Sequence, residues 1–510
     1  MNRPISLKEY SAQMQLNYNS PVISSLHYFW AMAVRRIIIW ALVVLVMAAA
    51  GACRKNQQVL TAGGIINFSD DTLKFDTVFT AAGSFTTGVM IFNPQNDAVV
   101  LSSVRMENGT ASFFHLNVDG FQGNVATNIK IAGHDSIYVF ATVKIDPTDT
   151  LTPFLITDRL IATMNGKEFS IPFTAYGQNA HYIINDSITQ YTRWLTDKPY
   201  VVINKLAVGP YAELNIPGGC RVYMHQNARI FNYGLLIVDS AGIPGKDSVV
   251  FQGDRLDRAY FGYIGYPGEW GGLYFVGGSG GVLKNTVLKN CGGSTAYYYY
   301  GINSAAIQLG DSAVLFMDHS KIENAIGYGI YSEHGLLYMN NCLLHTTGAQ
   351  ALAIVKGGYD SITNCTFANY GTQAVTHNNN GTVNVQNYIP DAAHPGKYFF
   401  GSLDGVMQNC LVYGSLDSEI ICDSVPDITA RFRMQNCLLK MGDVRESWVN
   451  FTNCIFNQDP KFKNTGNGDF HLSAGSPCIG SGGTFGATGI YDLDGTPWGS
   501  GNDIGCYRRP

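Results

Sequence analysis

The chain has 510 residues, of which 14% are charged and 56 are glycine, and its formal net charge at pH 7 is −5. Because there is neither a run nor an excess of Lys and Arg, we expect no nucleic-acid partner. Few charges, many glycines and abundant Asn, Thr, Ser and Tyr favour an extracytoplasmic protein that is almost entirely β.

Residues 1–53 have the features of an export signal. Arg35 and Arg36 precede an apolar run that ends in small residues before Cys53. The run is shorter than the ~20 residues of a membrane-spanning helix. It resembles a bacterial lipoprotein signal, which implies that Cys53 becomes the lipid-bearing first residue of the mature chain. A plain secretory signal and an uncleaved anchor are the alternatives, and Met32 is a second candidate start codon.

Residues 54–182 consist of short alternating segments separated by turn residues. Examples are "GVMIFNPQNDAVV" and "DSIYVFATVKIDP". Alternation with frequent turns is typical of antiparallel sandwiches, and we predict an immunoglobulin-like β-sandwich here. Residues 183–200 are interpreted as a linker to a second domain.

The dipeptide Asn-Cys occurs six times in the second domain, with the cysteines at Cys291, Cys342, Cys365, Cys410, Cys437 and Cys454. An apolar residue stands three positions before each cysteine and, except at Gly293, two positions after it. This spacing breaks the period of two of a straight strand, so the chain must bend at the Asn, which tolerates left-handed backbone. The repeat predicts a right-handed parallel β-helix over residues 201–475, with ~20 to 25 residues in one coil.

The cysteines of this repeat are expected to be mostly free thiols that face inward. Equivalent Cβ atoms on parallel strands lie about 4.8 Å apart, whereas a disulfide needs ~3.8 Å. Neither a CxxC pair nor clustered histidines occur, so zinc is not predicted. A disulfide between Cys478 and Cys506 is left open.

Several motifs in both domains carry a family resemblance. The segments are "FDTVFT", "NVDG", "AYGQNA", "DKPYVV", "NIPGGCRVYMH", "FQGDRLD" and "PGEWGGLYF". Together they resemble uncharacterised lipoproteins of the Bacteroidota, and the resemblance covers nearly all of the mature chain. It implies an immunoglobulin-like domain followed by a right-handed parallel β-helix of the pectin-lyase-like kind, and it implies no activity or catalytic residues.

The carboxyl end, residues 476–510, has its own pattern. The segments "DPKF", "DFHLSAGSPCIGSG" and "DLDGTPWGSGNDIGCY" resemble the closing segment of many bacterial β-helix proteins. The resemblance implies a cap that covers the last open strands. Asp492, Asp494 and Asp503 could supply oxygen ligands to Ca²⁺, but turn-stabilising bonds are favoured for them. Apart from that Ca²⁺ alternative, no cofactor is expected.

Two sets of side chains in the second domain are candidates for function. Charged groups that would suit a polysaccharide lyase or glycoside hydrolase are Asp254, Arg255, His319 and Lys321, and His334 could lie near Asp360. Solvated ion pairs are the favoured interpretation of these groups. Exposed aromatics in glycine-rich insertions could stack on sugars or contact proteins. These candidate ligand-binding residues are Tyr263, Tyr266, Trp270, Tyr297, Tyr298, Tyr299 and Tyr300.

The sequence therefore predicts an all-β, lipid-anchored protein of the outer membrane, with its periplasmic or cell-surface placement left open. We expect non-catalytic binding of a polysaccharide or an envelope protein on a β-helix scaffold. A carbohydrate-active enzyme on the same scaffold is the first alternative, and a structural envelope component is the second.

Overall fold

A computed structural model describes residues 58–80, 83–146, 153–239, 246–256, 265–293, 301–425, 428–442, 446–484, 491–498 and 502–509. Within these residues the chain is all-β, without an α-helix, and it contains long parallel sheets consistent with a β-helix. The predicted all-β class is thus confirmed. Cys53, Tyr263 and Tyr297–Tyr300 lie outside the described residues.

The amino-terminal part contains two five-stranded sheets around one apolar cluster that includes Phe75, Phe114 and Phe173. One sheet runs in the order Asn67–Phe68, Thr87–Phe92, Ser136–Val143, Phe114–Val118 and Phe121–Gln122. The other runs in the order Leu73–Phe79, Lys167–Gln178, Phe154–Met164, Val99–Met106 and Val125–Ile131, and a short 3-10 turn covers Gly109–Ala111. Pairing is antiparallel except between Leu73–Phe79 and Lys167–Gln178, which are parallel.

The remaining strands form three parallel ladders that run side by side. The first ladder contains Arg221–Met224, Val249–Gly253, Thr286–Lys289, Lys321–Ala325, Leu343–Thr347, Thr366–Asn369, Leu411–Gly414, Leu438–Leu439 and Ile455–Phe456. The second contains Tyr200–Val208, Arg229–Asn232, Gly272–Phe275, Ala305–Leu309, Tyr328–Glu333, Leu352–Val355, Val383–Gln386 and Ile420–Asp423. The third contains Thr192–Arg193, Glu213–Pro217, Leu235–Asp239, Gly280–Lys284, Val314–Asp318, Leu336–Asn340, Gly358–Thr363, Leu403–Gln408, Ala430–Gln435 and Val449–Thr452.

The chain visits the second, third and first ladders in turn, and one such circuit is called a coil below. Alternate side chains point into a single apolar core shared by the three ladders. The predicted linker was wrong in one respect, because the parallel stack begins before residue 201. His181–Ile188 already pairs in parallel with Tyr200–Val208, and the ring of Trp194 stacks on Tyr200 at 3.9 Å.

The bend between the third and first ladders is the predicted Asn bend, and we call it the Asn corner. In seven consecutive coils the corner residue has a left-handed φ between 47° and 52°. These residues are Asn285, His319, Asn341, Asn364, Asn409, Asn436 and Asn453. Only a few residue types besides Gly adopt this conformation readily, and Asn and His are among them. Stacked corners also bond, since Asn409 Nδ2 donates to Asn364 Oδ1 at 3.0 Å.

One of the six copies was assigned to the wrong corner. Asn290 and Cys291 follow Thr286–Lys289, so they lie between the first and second ladders. The true corner of that coil is Asn285, which pairs in register with His319 of the next coil. The misplacement explains why Gly293 broke the apolar pattern, because a different corner imposes a different spacing of inward side chains.

The described cysteines are all free, Cys478 and Cys506 included. Cys342, Cys365, Cys410 and Cys437 are fully buried beside the Asn corner, as predicted. Cys454 is only half-buried, and within the described residues no further coil follows it. The same column holds Thr286 and Ser320 in earlier coils, which shows that the position requires a small side chain rather than a thiol.

The predicted position of the carboxyl-terminal cap was wrong. Residues of that segment, such as Cys478 and Cys506, pack on the outer face of the first ladder together with the short hairpin that precedes them, Phe462–Asn464 with Asp469–Leu472 around the 3-10 turn Thr465–Asn467. Outward-facing leucines of that ladder receive it: Leu343, Leu411 and Leu438. The segment therefore covers one side of the stack over several coils. A second short hairpin, Tyr388–Pro390 with Tyr398–Phe400, extends between the second and third ladders.

Candidate functional site

Aromatic side chains stand on the outer face of the second ladder. In each of its strands the residue between two inward-facing positions points outward. Phe231, Tyr274, Gln308 and Tyr331 follow one another in register at this position, one per coil. With Tyr233, Tyr328 and Glu333 they form what we call the second-ladder cluster.

The rings of the second-ladder cluster meet edge to face. Phe231 and Tyr274 form a T-shaped pair with centroids 6.1 Å apart, and Tyr328 and Tyr331 form another at 5.1 Å. The side chain of Tyr233 is 46% exposed. Aromatic rings of this kind offer a flat apolar surface with a polar edge, which suits contact with the C–H face of a sugar.

A network of charges borders this cluster where the second ladder turns into the third. Lys356 Nζ lies 3.4 Å from Glu333 Oε1 and 3.2 Å from Asp311 Oδ2, and His334 Nδ1 lies 2.9 Å from the other oxygen of Asp311. The hydrogen bond from His334, aided by Lys356, lowers the pKa of Asp311 to about 2. Burial raises the pKa of Tyr274, and the negative charge of Glu333 adds to the effect. Two carboxylates thus share one ammonium group.

The two described aromatics of the predicted binding set have different positions. Tyr266 is 52% exposed in the segment that leads into Gly272–Phe275 of the second ladder. Trp270 is fully buried in the core of the stack, and its Nε1 donates to the carbonyl of Lys289 at 2.7 Å. Its assignment to a binding surface was wrong, because no part of its ring is accessible.

The four predicted acid–base residues do not form one site. Asp254 and Arg255 lie at the junction with the amino-terminal sheets, where Asp254 Oδ2 is 2.6 Å from His225 Nδ1 and Arg255 lies over the ring of Phe85. They line a cleft of about 180 Å³ between the two parts of the chain. The hydrogen bond to Asp254 raises the pKa of His225. Sequence reasoning missed His225, which is distant from Asp254 along the chain.

His319 and Lys321 instead hold the carboxyl-terminal segment against the first ladder. His319 Nε2 lies 3.0 Å from the carbonyl oxygen of Tyr491, and Lys321 Nζ lies 3.6 Å from Asp494 Oδ1. Lys321 also approaches the ring of Tyr507. The four residues of the enzyme alternative therefore do not form one active site, since each pair lies in a separate place and has its own structural contacts.

Asp360 does not meet His334, contrary to the sequence-based suggestion. His334 bonds Asp311, whereas Asp360 points into the core of the stack and is 1% exposed. Neither carboxylate oxygen of Asp360 has a hydrogen-bond partner, and burial raises its pKa well above the usual range.

Of the three aspartates considered for Ca²⁺, Asp492 and Asp503 bind backbone amides, and Asp494 pairs with side chains. Asp492 accepts from Asp494, Thr496 and Arg508, and Asp503 accepts from Gly480 and Arg509, all within 3.0 Å. Asp494 contacts His471 at 2.8 Å. The oxygens of Asp492 and Asp503 accept from backbone amides, and Asp494 is paired with His471 and Lys321, so these residues do not form a cation site. In the described residues no group of three or more His, Cys, Asp or Glu side chains could hold a metal ion.

A second aromatic surface, which sequence reasoning missed, lies on the outer face of the third ladder. Phe316 and Tyr338 stack at 4.5 Å with nearly parallel rings, and Tyr359 follows 5.8 Å from Tyr338. Phe316 is 47% and Tyr359 is 43% exposed, and Val314 and Leu336 extend the surface, which we call the third-ladder stripe. For Phe316 and Tyr338 the signal in the sequence was a position three residues before the corner, whereas Tyr359 lies five residues before Asn364, in register with Leu336.

No helix among the described residues is long and apolar enough to cross a membrane. No family model matches the chain, and no curated protein matches it. Two solved structures are similar to part of this chain. A family 123 glycoside hydrolase from Clostridium perfringens is 8% identical over 22% of this chain and 26% of its own length, with a TM-score of 0.17. A PapD-like domain of human CEP192 is 10% identical over 22% of this chain and 84% of its own, with a TM-score of 0.16. The chain spans about a quarter of the hydrolase, and neither likeness extends to the fold as a whole.

Proposed function

We propose that this protein is a lipid-anchored envelope protein that binds glycans at the second-ladder cluster without cleaving them. The observation that carries the proposal is the column of Phe231, Tyr274 and Tyr331 beside Glu333 on one regular outer face. Sugar recognition needs flat apolar contacts next to groups that form hydrogen bonds, and this face offers both.

The charges beside the cluster favour a neutral glycan over a uronate polymer. Lys356 is shared between Glu333 and Asp311, so among the described residues of this border the lysine is already neutralised and is poorly suited to receive a uronate carboxylate. The same ion pairs disfavour hydrolysis. Glu333 and Asp311 lie within ~7 Å of each other, a separation found in glycosidases, but a general acid needs a raised pKa. The pKa of Asp311 is lowered to about 2.

A glycan array with the full chain tests the proposal. Tyr274→Ala combined with Tyr331→Ala should weaken binding of a neutral glycan by ~1 to 3 kcal/mol per anchor lost. Tyr211→Ala, which removes a fully exposed tyrosine elsewhere in the stack, serves as the control. Equal binding by the double variant and the control would contradict the site. Cleavage of any neutral or uronate polymer by the wild type, lost on Asp311→Asn, would favour the enzyme instead.

Protein binding is the second candidate, and the third-ladder stripe favours it. Its stacked rings turn their faces toward each other and their edges outward, among aliphatic side chains. Such a flat apolar surface suits a protein partner better than a sugar. Phe316→Ser with Tyr359→Ser should abolish capture of an envelope protein while leaving glycan binding intact.

The finer assignments of fold and location are also proposals. The two amino-terminal sheets around one core support an immunoglobulin-like domain, and the order of strands in each coil supports a right-handed helix of the kind in the Bacteroidota lipoproteins. The signal-like residues 1–53 support an outer-membrane anchor at Cys53. Cys53→Ser should abolish lipid labelling and release the protein from the membrane fraction, and continued labelling would refute the anchor.

A further inference from the structure

The first described residues are fixed to one end of the amino-terminal sheets. The amide of Leu60 donates to the carbonyl of Ala98 at 2.8 Å, and the amide of Ala98 donates to the carbonyl of Gln58 at 2.9 Å. The side chain of Asn165 donates to the carbonyls of Leu60 and Gly63, at 3.2 and 3.0 Å. These bonds determine where the chain enters the amino-terminal sheets, which is beside the turn that contains Asn165.

The turns at this end of the sheets are polar and lie against one another. The amide of Ile65 donates to Gln95 Oε1 at 3.2 Å, and Gln95 Nε2 donates to the carbonyl of Ile65 at 2.7 Å. The amide of His134 donates to the carbonyl of Gln95 at 3.0 Å, and His134 Nε2 lies 2.7 Å from Asn96 Oδ1. Among these polar groups the side chain of Ile65 is 50% exposed and that of Val59 is 40% exposed. Polar groups around exposed aliphatic side chains suit contact with lipid headgroups.

The β-helix is joined to the opposite end of the same sheets. Lys167–Gln178 is a strand of 12 residues that begins just after the Asn165 turn. His181–Ile188, the first strand of the parallel stack, follows its far end. There the ring of Phe79 lies 4.7 Å from the ring of Tyr223 in the stack. Because a strand rises ~3.3 Å per residue, the two ends of the amino-terminal sheets are ~35 Å apart.

We infer that the amino-terminal sheets stand on the lipid surface and hold the first coils of the β-helix ~35 Å away from it, an arrangement that rests on the proposed lipid anchor at Cys53. Gln58 follows Cys53 by five residues. An extended residue spans at most ~3.6 Å, so Gln58 lies within ~18 Å of the lipid-bearing residue. That reach is too short for the inverted arrangement, in which the β-helix end would face the bilayer. The end with Val59 and Ile65 therefore contacts the lipid headgroups.

The test is fluorescence quenching of the lipid-bearing chain in vesicles of phosphatidylethanolamine and phosphatidylglycerol that contain a lipid with a nitroxide on its headgroup. Residues 58–193 contain no tryptophan, so the wild type gives the baseline. Ile65→Trp should add an emission that the nitroxide lipid largely removes. Leu155→Trp is the matched control, since Leu155 is 57% exposed but lies in register with Tyr176, near the β-helix end of the sheets. The emission added by Leu155→Trp should not change.

Circular dichroism checks that the variants fold, and Val59→Trp takes the place of Ile65→Trp if the latter does not. An unquenched tryptophan at this end, in a chain that carries lipid and binds the vesicles, would overturn the inference and leave the anchor intact. Equal quenching of Leu155→Trp and Ile65→Trp would also overturn it, because the sheets would then lie flat on the bilayer. A chain that carries no lipid and stays in solution would overturn the anchor at Cys53 and the inference with it.

Discussion

Replacing Asp360 should stabilise the protein at neutral pH. Asp360 lies in the column of inward positions of the third ladder, between Leu337 and Gly405 in register. Its carboxyl group is fully buried, neither oxygen has a partner, and the ring of Phe432 occupies the space beside Gly405. Burial of a polar group without hydrogen bonds costs ~1 to 3 kcal/mol. Leu has the same branching as Asp, so Asp360→Leu should raise the free energy of unfolding by about that amount.

The pH dependence gives a second, independent readout. Burial raises the pKa of Asp360 in the folded chain well above its value of ~3.9 in the unfolded chain. At a pH below the pKa of the unfolded chain, Asp360 is protonated in both the folded and the unfolded state, so it makes no contribution to the pH dependence of stability. As pH rises from there toward the folded pKa, only the unfolded state ionises, and the folded state loses stability. Both Asp360→Leu and Asp360→Asn should therefore remove this loss.

Urea unfolding of the wild type and both variants between pH 4 and pH 8 measures the effect. This range begins near the pKa of Asp in the unfolded chain and extends upward, because burial raises the pKa of Asp360 in the folded chain. Asp360→Asn is the matched control, because it cannot ionise but keeps unbonded polar atoms, so it should flatten the pH profile and recover little stability. A less stable Asp360→Leu at pH 8, together with a flat wild-type profile, would refute the reasoning, since it would mean that the carboxylate has a partner.

Three further predictions concern other parts of the stack. Asn364→Val should destabilise the protein by ~1 to 3 kcal/mol in urea unfolding, because Val strains at φ 51° and the bond from Asn409 is lost; an unchanged midpoint would argue against the corner stack. Trp270→Ala should cost ~3 to 5 kcal/mol by leaving a core cavity, and a folded variant with wild-type stability would return Trp270 to the surface. The hydrogen bond to Asp494 raises the pKa of His471, so stability from this pair is complete below the unfolded pKa of ~6.5 and is lost as pH rises through the folded pKa. Limited proteolysis of the carboxyl-terminal segment should accelerate over that range in the wild type but show no such pH step in His471→Gln.

The repeat could be predicted because the bend requires a left-handed backbone conformation at one position of each coil. Only a few residue types adopt φ near 50°, so Asn364 and its equivalents mark the bend in the sequence itself. His319 fills the same position, but without the Asn-Cys pair nothing distinguished it. Asn290 has the same dipeptide at another corner, because the requirement is for a left-handed residue at any tight bend rather than at one ladder.

The candidate site was less predictable, because it depends on which strands become neighbours. Phe231, Tyr274 and Tyr331 are far apart in sequence and meet only through the register of the second ladder. Glycine-rich context suggested exposure for Trp270, but the glycines there allow close approach of the backbone. An added Cβ at Gly271 would lie 2.9 Å from Arg229 Nε. Burial of Trp270 is therefore a product of packing that composition does not reveal.

The lateral position of the carboxyl-terminal segment sets an order on biogenesis. The chain is synthesised from its amino end, so the central coils can stack before residues 459–509 exist. Until then Leu343, Leu411 and Leu438 present an apolar strip along the outside of the first ladder. A chain that stops early would fold its coils yet keep this strip uncovered, so chaperones and proteases that bind exposed apolar surface would recognise it by that strip. Docking of this segment therefore distinguishes full-length molecules from truncated ones after the solenoid itself has formed.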